Sequence, residues 1–272
     1  MSRAETLRHL RAQLEQKNGS VSVSNEILST GCQQIDDWLP RGGLRCDAIT
    51  EWVAEGEGCG ASTLSLLTAA MRLSQVESGG GPLVVVSGPA SGSRAGFYPP
   101  AVKALGVPME RLIWVRPKQH ADLVWAVDQA LRCRSVAAVW SEIGAGLDDR
   151  DARRFQLAAE KGGTPGLFVR PAAVRGRPSF AEVRFQVAPL VSDTDHCDLP
   201  GGGDRVMQIT LDRCRGGKVG QQAWVRLDDR ARLQSITVPP SETASDDTTI
   251  LPLAAELAHP KTSSRAIHRR RA

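Results

Sequence analysis

The chain has 272 residues, of which 41% are apolar, with a formal net charge of +4 and six cysteines. That length and composition fit a soluble globular protein with a sizeable core, and exclude a disordered or fibrous chain. No apolar run approaches the roughly 20 residues a bilayer crossing needs, so no membrane contact is expected.

The cysteines (Cys32, Cys46, Cys59, Cys133, Cys197 and Cys214) form no CxxC pair. Scattered thiols favour a reduced, cytoplasmic setting over a disulfide frame or a zinc site. His196, Cys197 and Cys214 hint at metal ligation but lack a fourth ligand, so no metal is expected. The first 18 residues are charged throughout, unlike a secretory signal. Charge is concentrated at the other end, where Lys261, Arg265, Arg269, Arg270 and Arg271 lie close together. Taking those five from +4 leaves a body of −1, so electrostatic attraction for nucleic acid resides mainly in the tail. Arg269, Arg270 and Arg271 are DNA-contact candidates, weighed against a plain solvated end.

In chain order, residues 1–24 read as an amphipathic helix over 3–17, with Leu7, Leu10 and Leu14 on one face, followed by a polar linker. Residues 25–237 form the core domain. AITEWVA (48–54) is a strand, glycines follow, and a helix runs from Ser62 to about Val76. PLVVVS (82–87) is a second, wholly apolar strand; PPAVKALG is a short helix, LIWV (112–115) a strand, and HADLVWAVDQALRC a helix. VAAVW (136–140), the helix DDRDARRFQLAAEKGG and GLFVR (166–170) complete an alternation of doubly apolar strands and helices. Such a pattern belongs to a parallel sheet covered on both faces. Beyond Arg170 the strands FAEVRFQVAPL, RVMQITLDRC and QAWVRLDD alternate apolar and polar residues, with CRGGKVG as a hairpin turn. They read as antiparallel strands with one exposed face. Residues 238–272 are rich in Pro, Ser, Thr and Asp, lack a period and read as a disordered basic tail.

The stretch EGEGCGASTL (55–64) carries the chemical question. A strand leading through glycines into a helix is the setting of a phosphate-binding loop, whose backbone N–H groups converge on phosphate oxygens. Gly56, Gly58, Gly60, Ser62 and Thr63 are the candidate nucleotide-binding residues, Ser62 standing where GxxxxGK[ST] places its Mg²⁺-binding hydroxyl. Two positions depart from that motif: its first glycine is Glu55 and its lysine is Ala61. Lysine neutralises the β- and γ-phosphates during transfer, so its loss removes the main positive charge. A Mg²⁺-holding carboxylate is expected at the end of the fourth strand, but Trp140 stands there, with Glu142 displaced by roughly 6.5 Å. No Asp or Glu lies between Glu77 and Glu110, where a general base should follow the second strand. Three independent losses favour a scaffold without ATPase activity, so no catalytic residue and no cofactor are expected.

The segment STGCQQIDDWLPRGGLRCDAITEW (29–52) resembles the opening of the RecA recombinase core, and the similarity continues over roughly residues 25–230. Within that superfamily the degenerate loop and ALRCRSVAAVWSEI…DARRFQLAAEKGGTPGLFVRP look most like the ImuA family. The resemblance implies a RecA-like α/β fold, with a mostly parallel central sheet, helices on both faces and antiparallel strands at the C-terminal side. It also implies a non-recombinase accessory factor of SOS-inducible error-prone translesion synthesis. Its implied partners are an ImuB-like Y-family polymerase homologue, an error-prone replicative-type DNA polymerase and RecA. The N-terminal helix resembles the element with which recombinases dock on a neighbour.

The two DNA-holding loops of recombinases map near Ser141–Asp149 and Pro171–Pro178. The first is acidic, while the second offers Arg175 and Arg177 as DNA-contact candidates, weighed against an ordinary exposed loop. The metal-holding position corresponds to Trp140, and the catalytic-glutamate loop offers Pro89 and Arg94. Arg150, Arg153 and Arg154 share a helix face, and pairing with Asp151 or Glu160 is expected. Trp52, Trp114, Trp125 and Trp140 are expected to pack in the core. Two other readings stay open: a weak ATP- and Mg²⁺-dependent DNA-binding protein, and a cell-division or SOS regulator.

Overall fold

The fold is entered through a short antiparallel pair, β1 (Ile27–Leu28) with β2 (Leu44–Arg45), that brackets the one-turn helix α1 (Gln33–Asp36). In this computed structural model the described residues are 26–76, 80–91, 97–189, 206–228 and 230–237. The helix expected over 3–17, Arg94, His196–Cys197 and the basic tail lie outside them. The Ser-Thr-Gly start has a local purpose. The buried Asp36 carboxylate accepts hydrogen bonds from Ser29 Oγ (2.6 Å), Thr30 N (2.9 Å) and Thr30 Oγ1 (2.8 Å), folding the segment around one anion.

The main sheet continues with β3 (Ile49–Ala54), β4 (Leu83–Val86), β5 (Leu112–Val115), β6 (Ala138–Glu142), β7 (Gly166–Pro171) and β8 (Val183–Pro189). Three further strands follow: β9 (Val206–Cys214), β10 (Gln222–Leu227) and β11 (Leu233–Ile236). The spatial order is β5-β4-β6-β7-β3-β8-β9-β10-β11, parallel as far as β8 and antiparallel beyond it. Helix α2 (Ala61–Gln75) covers one face, packing with Trp52, Trp140 and Phe185. After the short helix α3 (Pro99–Ala104), α4 (His120–Arg132) and α5 (Asp149–Gly162) pack together over the other face, against Val139 and Phe168. This is the expected α/β architecture.

Helix α5 shows how local chemistry sets an element's ends. Asp148 caps it by accepting from Asp151 N at 2.7 Å, and Gly163 ends it at φ 65°. None of the described helices is long and apolar enough to cross a membrane. The described cysteines are free thiols, and burial pushes Cys46 up to about 11.

Four expectations need correction. Strand β8 is interior rather than one-sided, lying between β3 and β9 with Val183, Arg184, Phe185 and Val187 buried. Its apparent polar alternation misleads because Arg184 is an inward-facing, ion-paired residue. Strand β6 ends at Glu142 rather than Trp140, so Glu142 belongs to the strand instead of lying beyond it. Trp125 is 62% exposed, on the solvent side of α4. Arg154 pairs across helices with buried Asp128 (2.9 Å), which Arg132 also grips (3.0 Å), rather than with a neighbour on its own helix.

Burial opposes ionisation of Asp128, yet hydrogen bonds from Arg132 and Arg154 outweigh it and hold the carboxyl below its ordinary value. A depressed folded-state pKa means its contribution is present above about pH 4 and is lost as acid titrates the folded carboxylate. Asp128→Asn is expected to cost about 1–2 kcal/mol at pH 7, discounted because both arginines are partly hydrated. It should also flatten the acid limb of the stability–pH curve measured by urea melts.

Candidate functional site

Strand β3 ends at Ala54, and the six residues Glu55–Gly60 lead into the N-terminus of α2 at the C-terminal edge of the parallel strands. That edge is where open α/β sheets bind ligands. Gly58 (φ 71°) and Gly60 (φ 94°) adopt the left-handed conformation that the turn requires. Gly60 caps α2, and its carbonyl accepts from Leu64 N at 2.9 Å. Gly56, Gly58, Gly60, Ser62 and Thr63 are therefore assembled at one helix N-terminus, the shape a phosphate loop needs.

The surroundings of that shape are largely apolar, with an ion pair at Glu55. Ala61, in the lysine position, is 2% exposed and belongs to the core cluster. Trp140, in the metal-acid position, is 1% exposed, and its indole N–H donates to Ser65 Oγ at 2.8 Å. The indole thus ties β6 to the second turn of α2 in place of any carboxylate. Phe97 lies 5.8 Å from Trp140 and 5.1 Å from Trp114, extending an aromatic wall along the same face. Met207 of β9 packs over Gly60: a Cβ at that glycine would overlap the methionine side chain.

Glu55, in the position of the motif's first glycine, is anchored twice. Its N–H donates to Val187 O at 2.9 Å, and its Oε2 pairs with Arg175 Nη1 at 3.1 Å. Arg175 therefore stands beside the phosphate-loop position. Arg177, two residues on, turns away and donates to Ala145 O at 3.4 Å, linking the two loops mapped as DNA-holding. The structure thus separates these two candidates, and Arg269, Arg270 and Arg271 lie outside the described residues.

Glu142, two residues after Trp140, accepts from Ser87 Oγ at 3.1 Å at the sheet edge. Ser87 also accepts from the Trp114 indole N–H at 2.9 Å through its carbonyl. After β4 the chain turns through Pro89–Ser91, closed by Ser91 Oγ donating to Gly88 O at 2.7 Å. That segment supplies a capped turn in the place of a general base. Among the described residues no group of three His, Cys, Asp or Glu side chains is arranged to hold a metal ion.

Sequence reasoning missed three contacts here. Glu55 meets a partner 120 residues away, Met207 reaches the loop from β9, and Glu142 stands at the end of β6. Only the last had a local signal, in Ile143, the apolar residue that follows Ser141 and Glu142.

A parallel sheet of this order, with a glycine loop feeding the helix on one face, defines a RecA-type core. A crystal structure of the RadB recombinase shares this fold, with a TM-score of 0.55 and 17% identity over 78% of this chain and 100% of that one. No family model matches the chain. Protein ImuA of Caulobacter vibrioides, in strains NA1000 and ATCC 19089, is 32% identical over 212 residues, 73% of this chain and 82% of the relative. The chain belongs to the ImuA family.

Gly60→Ala is expected to destabilise the protein by about 1–3 kcal/mol, from left-handed backbone strain and collision with Met207. Adding Met207→Ala should relieve the collision but leave the strain, so the double-mutant cycle in denaturant melts should show positive coupling.

Proposed function

We propose that this protein is a catalytically silent RecA-type accessory factor in DNA-damage-inducible, error-prone translesion synthesis and repair. It acts through protein contacts. The partners of this reading are an ImuB-like Y-family polymerase homologue, an error-prone replicative-type polymerase and RecA, met in the cytoplasm. Membership of the ImuA family supports the pathway. The observation that carries catalytic silence is the buried Trp140 indole, hydrogen-bonded to Ser65 where a metal-holding acid would stand.

Transfer of a phosphoryl group is almost entirely positioning and neutralisation of charge. Ala61 offers no cation at the loop, while Glu55 and Glu57 place carboxylates beside it. Arg175 is a candidate for a substitute cation, and it is already engaged with Glu55. No Asp or Glu lies between Glu77 and Glu110 to serve as the base that should follow β4. What the fold retains is a RecA-type core, and recognition by protein partners is the role this reading gives it.

A second reading, weak nucleotide binding without turnover, draws on the five loop residues still gathered at the α2 N-terminus. Isothermal titration with ATP and Mg²⁺, run beside a phosphate-release assay, separates the two. The expected result is no turnover and no saturable heat in the micromolar range. Micromolar binding with turnover that disappears in Gly60→Asp would overturn catalytic silence. Capture of the tagged full chain from damaged cells is expected to recover the Y-family homologue. Recovery of division proteins alone would replace this pathway with a division regulator.

A further inference from the structure

At the edge of the sheet opposite the phosphate loop lies a cleft that the function proposed above does not use. It opens where β8 begins, at the N-terminal ends of the parallel strands, and holds about 230 Å³. Leu39 and Pro40 wall it from the segment between α1 and β2, and the paired residues Val183 and Cys214 from β8 and β9. The turn that follows β9 is seated against this wall. Arg215 N donates to Glu182 O at 3.0 Å, and a Cβ at Gly217 would strike Cys214 Sγ and press on Pro40. Backbone contacts therefore fix the shape of the cleft.

Three guanidiniums and one carboxylate line it. Arg45 is occupied: its Nε and Nη2 each bind an oxygen of Asp47 at 2.8 Å, and its Nη1 reaches Glu182 at 2.9 Å. Burial pushes the Glu182 carboxyl above its ordinary value, opposed by Arg45, abetted by Asp47, and opposed again by Arg215 and Arg41. Arg41 and Arg215 thus face the cleft, yet neither side chain has a hydrogen bond or ion pair among the described residues. The other acids of this neighbourhood are directed elsewhere: Asp36 to Ser29 and Thr30, Asp37 to Gln33, and Glu160 to Gln156. Both free guanidiniums are exposed, as are Lys218 and Val219 (57%) in the turn.

The volume falls below the roughly 300–1,000 Å³ of a small-molecule site, so it suits one side chain presented by a larger partner. Leu39, Pro40 and Val183 offer apolar surface to the stem of that side chain. The exposed guanidinium forks offer paired donors to a carboxylate at its end. A nucleic-acid strand fits less well. Its phosphodiester carries a sugar on each side, and its affinity comes from cations spread along the backbone rather than gathered at one point.

We propose that this cleft and the adjoining turn dock an acidic segment of a protein partner. A glutamate of that segment lays its stem on Leu39 and Val183 and its carboxylate between Arg41 and Arg215. Glu182, held down by Arg45, keeps the incoming carboxylate at the rim, and a neighbouring apolar residue covers Val219. The surface rests on the reading of this protein as one that acts through protein contacts, and not on the pathway it serves.

Fluorescence anisotropy of a short labelled peptide of repeating Glu-Leu-Ser, titrated with the full chain, tests this. Wild type is expected to bind it saturably and in a salt-sensitive manner, and to ignore the Gln-Leu-Ser counterpart. Arg41→Ala and Arg215→Ala should each weaken binding several-fold, and together about tenfold, at an unchanged melting temperature. Val219→Ser should weaken it as well, whereas Arg175→Ala, at the phosphate loop, should change nothing. Arg269, Arg270 and Arg271 also attract acidic peptides, so the loss should persist in a chain where all three are alanine. Absence of saturable binding, equal binding of the glutamine peptide, or full affinity in the doubly substituted chain overturns the proposal. A loss that vanishes with the tail arginines, or that Arg175→Ala reproduces, does the same. Competition by oligothymidylate that depends on Arg41 and Arg215 also overturns it, by assigning the surface to a nucleic-acid backbone. No replication protein enters this assay, so its failure removes the surface and leaves the pathway to the capture experiment.

Discussion

A buried indole N–H calls for an acceptor, a demand that Trp52 leaves unmet and that Trp140, on the same α2 face of the sheet, does not. Trp140 meets it through Ser65, a residue of the second turn of α2. The bond locks the strand that ordinarily presents a metal-holding acid onto the helix that ordinarily carries the phosphate-binding residues. With Phe97 and Trp114 beside it, the indole fills this face with apolar surface. Changes at Ala61 and Glu55 fit the same logic. There a small buried residue and an ion-paired glutamate satisfy the fold.

The loop is nevertheless well supported. Val187 O holds the backbone of Glu55, Arg175 holds its side chain, and Met207 closes over Gly60. These contacts come from β8, from the turn after β7 and from β9, so the loop is braced by the half of the domain that follows it in sequence. The bracing fixes the shape of the turn from within the chain. It also gives Arg175 and Arg177 separate structural tasks, one at the phosphate loop and one at Ala145.

Much of this was legible from the residues. Doubly apolar runs such as LVVV and AVW marked the interior parallel strands, because burial on both faces leaves no room for alternation. The glycines before α2 marked the turn that leads from β3 into that helix. What stayed hidden was long-range and ionic. Arg184 reads as a solvent-facing residue in an alternating strand until Glu51, 133 positions earlier, is placed beside it. A single charge inside an apolar strand, as Glu51 is in ITEWVA, was the available clue, since such residues are buried only with a partner. Trp125 misled for the opposite reason: helical spacing puts it near the core face, but the packing of α4 against α5 leaves it exposed.

The position of β3 bears on how the chain reaches this state. It is the first long strand to be made, yet both its neighbours, β7 and β8, are encoded more than a hundred residues later. While the ribosome is still adding those residues, ITEWVA has two open edges, an unpaired carboxylate and a large indole on view. Non-local pairing of this kind slows folding and leaves nascent strands prone to wrong partners. The scaffold thus carries the long wait, and the need for protection during synthesis, that its topology imposes.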